Sequence, residues 1–279
     1  MKEFYTRSLT AIAYASVLLL PLFYNEYLFY GVGFICSLIL VFEFIKLVSN
    51  YNHKFLSRDN GKSYFILYMT FPLYISLFIL SENKIFELIF LSLIVFTNII
   101  LGISLIKKKL FSFSIFKNRF IGHFYLVGSL VIFFSLPKIF GEYNPYLVLA
   151  FLSLIWISDS AAYVFGVTFG KRPLFKSVSP KKSIEGFIGG LVFSIILSIV
   201  FFKFLILEIS FYQWIILGIL TSCLGTLGDL VQSLFKREAG VKDSGNLLPG
   251  HGGLYDRMDS IIFAAPIIYL TLTIFNYVS

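Results

Sequence analysis

Residues 233–259 read SLFKREAGVKDSGNLLPGHGGLYDRMD, leaving one apolar run at about 212–235 and entering another at about 258–277. The stretch holds four cations (Lys236, Arg237, Lys242, Arg257), three aspartates (Asp243, Asp256, Asp259), His251 and five glycines. A bilayer-embedded chain gains no stability from such a cluster. Dense charge on a glycine-rich backbone suits phosphate handling, because glycine lets the main chain approach phosphate oxygens closely.

The surroundings of this island set the fold class. The chain has 279 residues, is 58% hydrophobic and only 14% charged, against about 25% charged in a soluble globular chain. Its mean hydropathy is +0.86. Continuous apolar runs of about 20 residues, enough to cross ~30 Å of hydrocarbon, fall near 8–24, 28–48, 63–80, 84–106, 120–137, 144–165, 185–207, 212–235 and 258–277. The expectation is an all-α, polytopic membrane helix bundle of about nine transmembrane helices. Strands are not expected, since a membrane barrel needs period-two polarity. The first run, preceded by Lys2 and Arg7, lacks a small-residue cleavage site and reads as a retained helix. Cys36 and Cys223 lie in apolar runs and read as buried thiols.

Charge gives the expected sidedness. All of the 23 Lys+Arg except Lys84, Lys138 and Lys203 fall at the N-terminus or in the loops after the second, fourth, sixth and eighth runs. The positive-inside rule then predicts a cytoplasmic N-terminus. The net charge of +8 follows from that bias and suits contact with anionic membrane lipids. Nucleic acid is not expected as a partner, because no basic stripe lies on a soluble domain.

Ionisable residues inside the runs mark functional positions, since each costs about 2.5–3.5 kcal/mol to insert at a bilayer centre. Asp159 closes the sixth run and shares a helical face with Tyr163, Gly166 and Gly170. Asp229 shares a face with Gln232, Ser233 and Lys236, leading into the central stretch; Asp256 and Asp259 are spaced to point together where the ninth helix begins. A structural reading competes at each position: Asp256 as a helix cap, Asp229 in an ion pair with Lys236 or a neighbouring helix, Asp159 satisfied by serines and backbone. His53 and His123 read as incidental. Carboxylates without a Cys or His cluster suit a hard cation such as Mg²⁺, and lysines and arginines suit phosphate. The set points to phosphoryl or nucleotidyl transfer. No Walker A loop, kinase-type glycine loop or Ser/His/Asp arrangement is present.

The pattern Ser233-x-Phe235-Lys236-Arg237, then Lys242-Asp243-x-Gly245, then Leu248-Pro249-x-His251-Gly252-Gly253-Leu254-x-Asp256-Arg257-Met258-Asp259 resembles the defining motif of the phosphatidate cytidylyltransferases. Trp156-x-x-Asp159-Ser160-x-Ala162-Tyr163-x-x-Gly166 and the segment Phe169-Gly170-Lys171-Arg172 to Ser179-Pro180-Lys181-Lys182-Ser183-x-Glu185-Gly186 are also similar to that family, with Ser in place of its usual Thr at 160 and 183. The resemblance covers about 155–260. It suggests N-terminal helices over 1–140 and a catalytic membrane region over 141–279.

The resemblance implies transfer of CMP from CTP to phosphatidate, giving CDP-diacylglycerol and pyrophosphate. It implies Asp229 and Asp256 as Mg²⁺ ligands, with Asp259 and Asp243 auxiliary; a second, monovalent cation is conceivable beside four aspartates. Asp229, Lys236, Asp256 and Asp259 are then the catalytic candidates. Lys236, Arg237, Lys242 and Arg257 would hold the triphosphate, with Ser233 beside them, and His251, Gly252 and Gly253 would shape the loop over the nucleotide. Lys171, Ser179, Lys181 and Lys182 are expected to bind phosphate from lipid or CTP, aided by free N–H groups at the start of the seventh helix, and Asp159 to line the lipid side. Gly186, Gly189 and Gly190 form a candidate homodimer face. A bacterial inner membrane, with the site facing the cytoplasm, is the expected location. Competing classes are a CTP-dependent lipid kinase, distinguished by releasing CDP, and a transporter, distinguished by leaving CTP intact.

Overall fold

The structure is a computed structural model describing residues 2–51, 70–71, 74–75, 84–108, 120–205, 207–250 and 252–278. Its helices are α1 (Lys2–Tyr24), α2 (Glu26–Tyr51), α3 (Lys84–Ile106), α4 (Ile121–Lys138), α5 (Pro145–Phe169), α6 (Ile184–Phe204), α7 (Phe211–Glu238) and α8 (Tyr255–Val278). Between α5 and α6 lies a two-stranded antiparallel hairpin, β1 (Pro173–Phe175) with β2 (Ser179–Ser183). The chain is an all-α membrane bundle. Among the described residues seven helices, α2 to α8, are long and apolar enough to span, and Ser8–Tyr24 of α1 is a shorter apolar helix. The run expected at 63–80 lies outside the described residues apart from 70–71 and 74–75. The hairpin joins two of these helices and leaves the reading of the apolar runs as helices and not barrel strands in place.

Local chemistry sets the helix ends. Asn144 accepts from the Tyr146 N–H ahead of α5, with Pro145 at the first helical position. Ser183 accepts from Gly186 N–H at the start of α6. Ser210 and Gln213 form a reciprocal capping box on α7, whose last turn carries Lys236 and Arg237 against the negative end of its dipole. The first eight residues of α4, Ile121–Gly128, are π-helical. There His123 meets the Tyr74 hydroxyl at 2.6 Å, so it has a packing role.

Lipid offers no hydrophobic drive for helices to associate, so close approach and interhelical hydrogen bonds must supply it. The α5–α6–α7–α8 core does this with small residues. A Cβ placed on Gly190 would lie 2.7 Å from the Ser158 carbonyl oxygen, and one on Gly186 would lie 2.6 Å from that of Ala162. Gly186, Gly189 and Gly190 are therefore filled by α5 of the same chain, which removes them as a dimer face. Ser158 and Ser222 hydroxyls pair at 2.8 Å, Ser194 donates to the Gly218 carbonyl at 2.9 Å, and Ser260 donates to that of Gly225 at 3.0 Å. Farther out, Asn98 of α3 donates to the Phe263 carbonyl at 3.1 Å and Tyr269 of α8 to Glu87 at 2.8 Å.

At Gly228 a Cβ would sit 2.5 Å from the backbone oxygen of Asp259, whereas Gly102 has open space. Gly228→Ala should therefore separate α7 from α8 and lower stability by about 1–3 kcal/mol. Thermal unfolding in detergent should show a fallen midpoint for Gly228→Ala and an unmoved one for Gly102→Ala.

Candidate active site

A cavity of about 1090 Å³ opens where α1, α5, the hairpin, α7 and the start of α8 converge. Its polar floor carries Asp159, Lys181, Lys182, Asp229, Lys236, Asp243, Asp256, Arg257 and Asp259, and its walls include Ala11, Ile12 and Ala15 of α1, Val167 of α5, Leu174 of β1 and Phe187 of α6. Helix α1 is tied to the loop before α8 and to the first turn of α8: Thr10 donates to the Pro249 carbonyl at 3.1 Å and Tyr14 to that of Arg257 at 3.3 Å.

The floor is organised as two ion pairs. Lys182 reaches Asp229 Oδ2 at 2.5 Å, and Ser233 donates to Asp229 Oδ1 at 3.2 Å. Lys236 reaches Asp256 Oδ1 at 2.7 Å, with side chains only 12% and 4% exposed. The partner of Asp229 is thus a lysine from the hairpin and not Lys236 two turns along its own helix. Burial pulls the Lys182 ammonium down, but the charges and hydrogen bond of Asp229, with Asp159 and Asp259, outweigh it and hold the pKa above the ordinary lysine value. Lys182 therefore stays charged throughout the neutral range.

Asp256 is the most heavily bonded group. Its Oδ1 accepts from Lys236 Nζ and from Gln232 Nε2 at 2.8 Å. Its Oδ2 accepts from Ser244 N at 2.8 Å and Gly253 N at 2.9 Å, and the Ser244 hydroxyl, whose single proton also faces a second carboxylate, lies 3.0 Å away. Four donors and a shared hydroxyl meet a carboxylate with about four lone-pair sites. Gly252 makes this possible: its φ is +83°, and a Cβ there would lie 2.6 Å from Asp256 Oδ2. Asp229 keeps unused lone pairs, and among the described residues no hydrogen bond or ion pair engages the Asp159 carboxylate. Among the described residues Asp259 accepts only from Ser260 N, at 2.7 Å.

This donor set is a test for Mg²⁺. Among the described residues no group of three or more His, Cys, Asp or Glu stands ready to hold a metal. Mg²⁺ commonly takes one or two carboxylates and completes its shell with water and substrate phosphates, so the open oxygens of Asp229 fit it. Asp256 can join only if Lys236 turns away.

Other expected site residues lie apart from the cavity floor. Lys171 is exposed; its N–H and that of Arg172 donate to Glu185 Oε2 at 3.0 and 3.2 Å. Ser179 pairs with Phe175 in the hairpin. Two of the N–H groups at the start of α6 are engaged: Ile184 N–H donates to the Arg172 carbonyl and Gly186 N–H to Ser183. Arg237 donates from Nε to the Val178 carbonyl at 3.3 Å and bonds that of Val241, fastening the hairpin to α7. Lys242 is exposed beside Asp243, and His251 lies outside the described residues. Gly253 presents its N–H to Asp256.

Two contributors were not expected: Ser244 on Asp256, and Glu43 of α2, which reaches the same loop. Helical spacing places Gln232 on the face of Asp229, and the structure gives its amide to Asp256. An ionisable residue inside the apolar run 28–48 was the available signal for Glu43. Ser244 carried none, being an ordinary polar residue.

Lys236 and Asp256 form a buried pair, and removing one partner of such a pair costs about 3–5 kcal/mol. Lys236→Met should destabilise by that order. The Lys236→Met/Asp256→Asn double variant should lose less than the sum of the single changes. A double-mutant cycle on unfolding midpoints checks both.

With the geometry in hand, the comparisons are specific. The cytidylyltransferase family matches residues 5–275. A Staphylococcus saprophyticus protein named phosphatidate cytidylyltransferase is 39% identical over 186 residues, covering 65% of this chain and 68% of the relative. Proteins of the same name from Staphylococcus haemolyticus and Staphylococcus aureus (strain COL) are 41% and 42% identical over 181 and 183 residues, with the same shares covered. A match over nearly the whole chain, joined to a charged cavity inside a helix bundle, leads to one conclusion: this chain is an enzyme of the cytidylyltransferase family.

Proposed function

We propose that this enzyme transfers CMP from CTP to phosphatidate, giving CDP-diacylglycerol and pyrophosphate for phospholipid biosynthesis. The observation that carries the reading is the 1090 Å³ cavity, which joins lysines, Arg257 and aspartates to apolar walls on α1, α5 and α6. A nucleoside triphosphate needs the first half of that lining and a diacyl lipid phosphate needs the second. The relatives' printed names supply the substrate.

In this reaction an oxygen of the lipid phosphate bonds to the α-phosphorus of CTP as the bond to the β-phosphate oxygen breaks. The nucleophile is already anionic near neutral pH, so no strong general base is required. The site must reduce charge repulsion and hold the two phosphates in line. Lys182, fixed by Asp229, and Lys181 beside it are positioned for one phosphate group. Lys236 and Arg257, at the other side of the floor, would take the departing pyrophosphate, with Lys236 exchanging Asp256 for a phosphate oxygen. Asp229 and Asp256 are the proposed Mg²⁺ ligands, the ion neutralising charge on the phosphate oxygens when bound. Asp159, Asp243 and Asp259 are auxiliary carboxylates that could accommodate a second, monovalent cation. The cation-rich loops support a cavity mouth at the cytoplasmic face of a bacterial cell membrane, where CTP is available.

Detergent-purified protein incubated with labelled CTP, phosphatidate and Mg²⁺ should form a chloroform-soluble cytidine lipid and release pyrophosphate. Asp229→Asn and Asp256→Ala should each lower the rate by about 100-fold or more. Release of CDP with a newly phosphorylated lipid would instead establish a lipid kinase, and intact CTP would exclude both.

A further inference from the structure

Glu43 lies well inside α2, in the half of the chain that carries no recognised motif, and is 4% exposed. A carboxylate buried in a membrane helix must meet donors or an opposite charge. Its donors come from the far end of the sequence. Leu254 N–H donates to Oε1 at 2.9 Å, Tyr255 N–H to Oε2 at 2.9 Å and Ser244 Oγ to Oε2 at 2.8 Å. The first two belong to the leading edge of α8, where backbone N–H groups have no intrahelical acceptor and the helix dipole is positive. Leu254, at the cap position, has no side-chain acceptor of its own. Glu43 therefore caps α8 from another helix.

The position is shaped for this one side chain. A Cβ on Gly245 would lie 2.7 Å from Glu43 Oε1, and one on Gly253 would lie 2.7 Å from Glu43 Cδ. Ser244 links the cap to the site, because its hydroxyl is also 3.0 Å from Asp256 Oδ2. Everything that bonds to Asp256 Oδ2 comes from Ser244 and Gly253, which are the residues packed on the Glu43 carboxylate.

We propose that Glu43 is a positioning residue for the transfer reaction: by holding Ser244 and the first turn of α8, it sets the direction of the Asp256 carboxylate and, through it, of Lys236. It does not line the cavity itself. Both of its oxygens accept from N–H groups, so glutamine, although isosteric, must turn its NH₂ toward a donor in either orientation.

The kinetic arm of the test rests on the proposed reaction; a second arm does not. Glu43→Gln, monodisperse in detergent, should show kcat lowered roughly 10–100-fold, the range seen when a group orienting an active-site ligand is lost. KM for phosphatidate should stay near wild type, because the apolar walls are untouched. Hydrogen exchange read by mass spectrometry should accelerate in peptides spanning 244–256 and stay unchanged in α5 and α6. A folded Glu43→Gln with wild-type kcat and wild-type exchange would overturn the proposal, as would a rate loss that follows only the folded fraction. Should Glu43→Gln fail to fold, Ser244→Ala removes the link alone; faster exchange over 244–256 with a reduced kcat supports the role, and wild-type values for both overturn it. If the wild-type protein makes no CDP-diacylglycerol, the reaction itself is wrong, and the exchange arm still decides whether Glu43 orders this loop.

Discussion

The Asp256 carboxylate can be ionised inside a membrane bundle only because donors surround it, and those donors come from α7, the loop before α8 and the glycine turn. Desolvating an unpaired carboxylate would cost several kcal/mol. Lys236 and Gln232 compensate on one oxygen, and Ser244 and Gly253 on the other. Most of the site's architecture follows from that requirement. The turn adopts a left-handed φ at Gly252 so that the main chain passes close to Oδ2, and Lys236 is drawn from the end of α7 to the floor of the cavity. The same fullness has a chemical consequence: Asp256 cannot take a cation while keeping all its partners.

The second constraint is steric. Charged floor residues from α5, the hairpin, α7 and α8 can share one cavity only if the helices bearing them approach closely. Gly186, Gly190 and Gly228 remove the side chains that would hold the helices apart, and serine hydroxyls bond across the contacts. A surface of small residues that looked available to a second copy is thus consumed within the chain. Arg237 shows the same economy, since it anchors the Val178 end of the hairpin and so delivers Lys181 and Lys182 to the cavity.

Much of this was legible in the linear sequence. Apolar run lengths identify membrane helices directly, because bilayer thickness fixes the number of residues needed to cross it. Helical spacing correctly put Ser233 beside Asp229, a contact made within one turn. The pairing of charges was not legible. Asp229 had Lys236 within reach along its own helix, yet Lys182 takes it and Lys236 goes to Asp256. Free amides were expected at the start of α6, where Arg172 and the Ser183 cap engage those of Ile184 and Gly186.

By itself, then, the sequence determined a membrane-embedded helical enzyme whose cations and aspartates gather between the last two apolar runs, because hydropathy, charge bias and motif spacing are properties of neighbouring residues. Only the tertiary structure decided which carboxylate is saturated and which stays open, that the glycine face is internal, and that Glu43 of α2 reaches a loop more than 200 residues away. Those outcomes depend on hydrogen-bond geometry at about 3 Å between elements distant in sequence. Local periodicity carries no information about such contacts until the helices have packed.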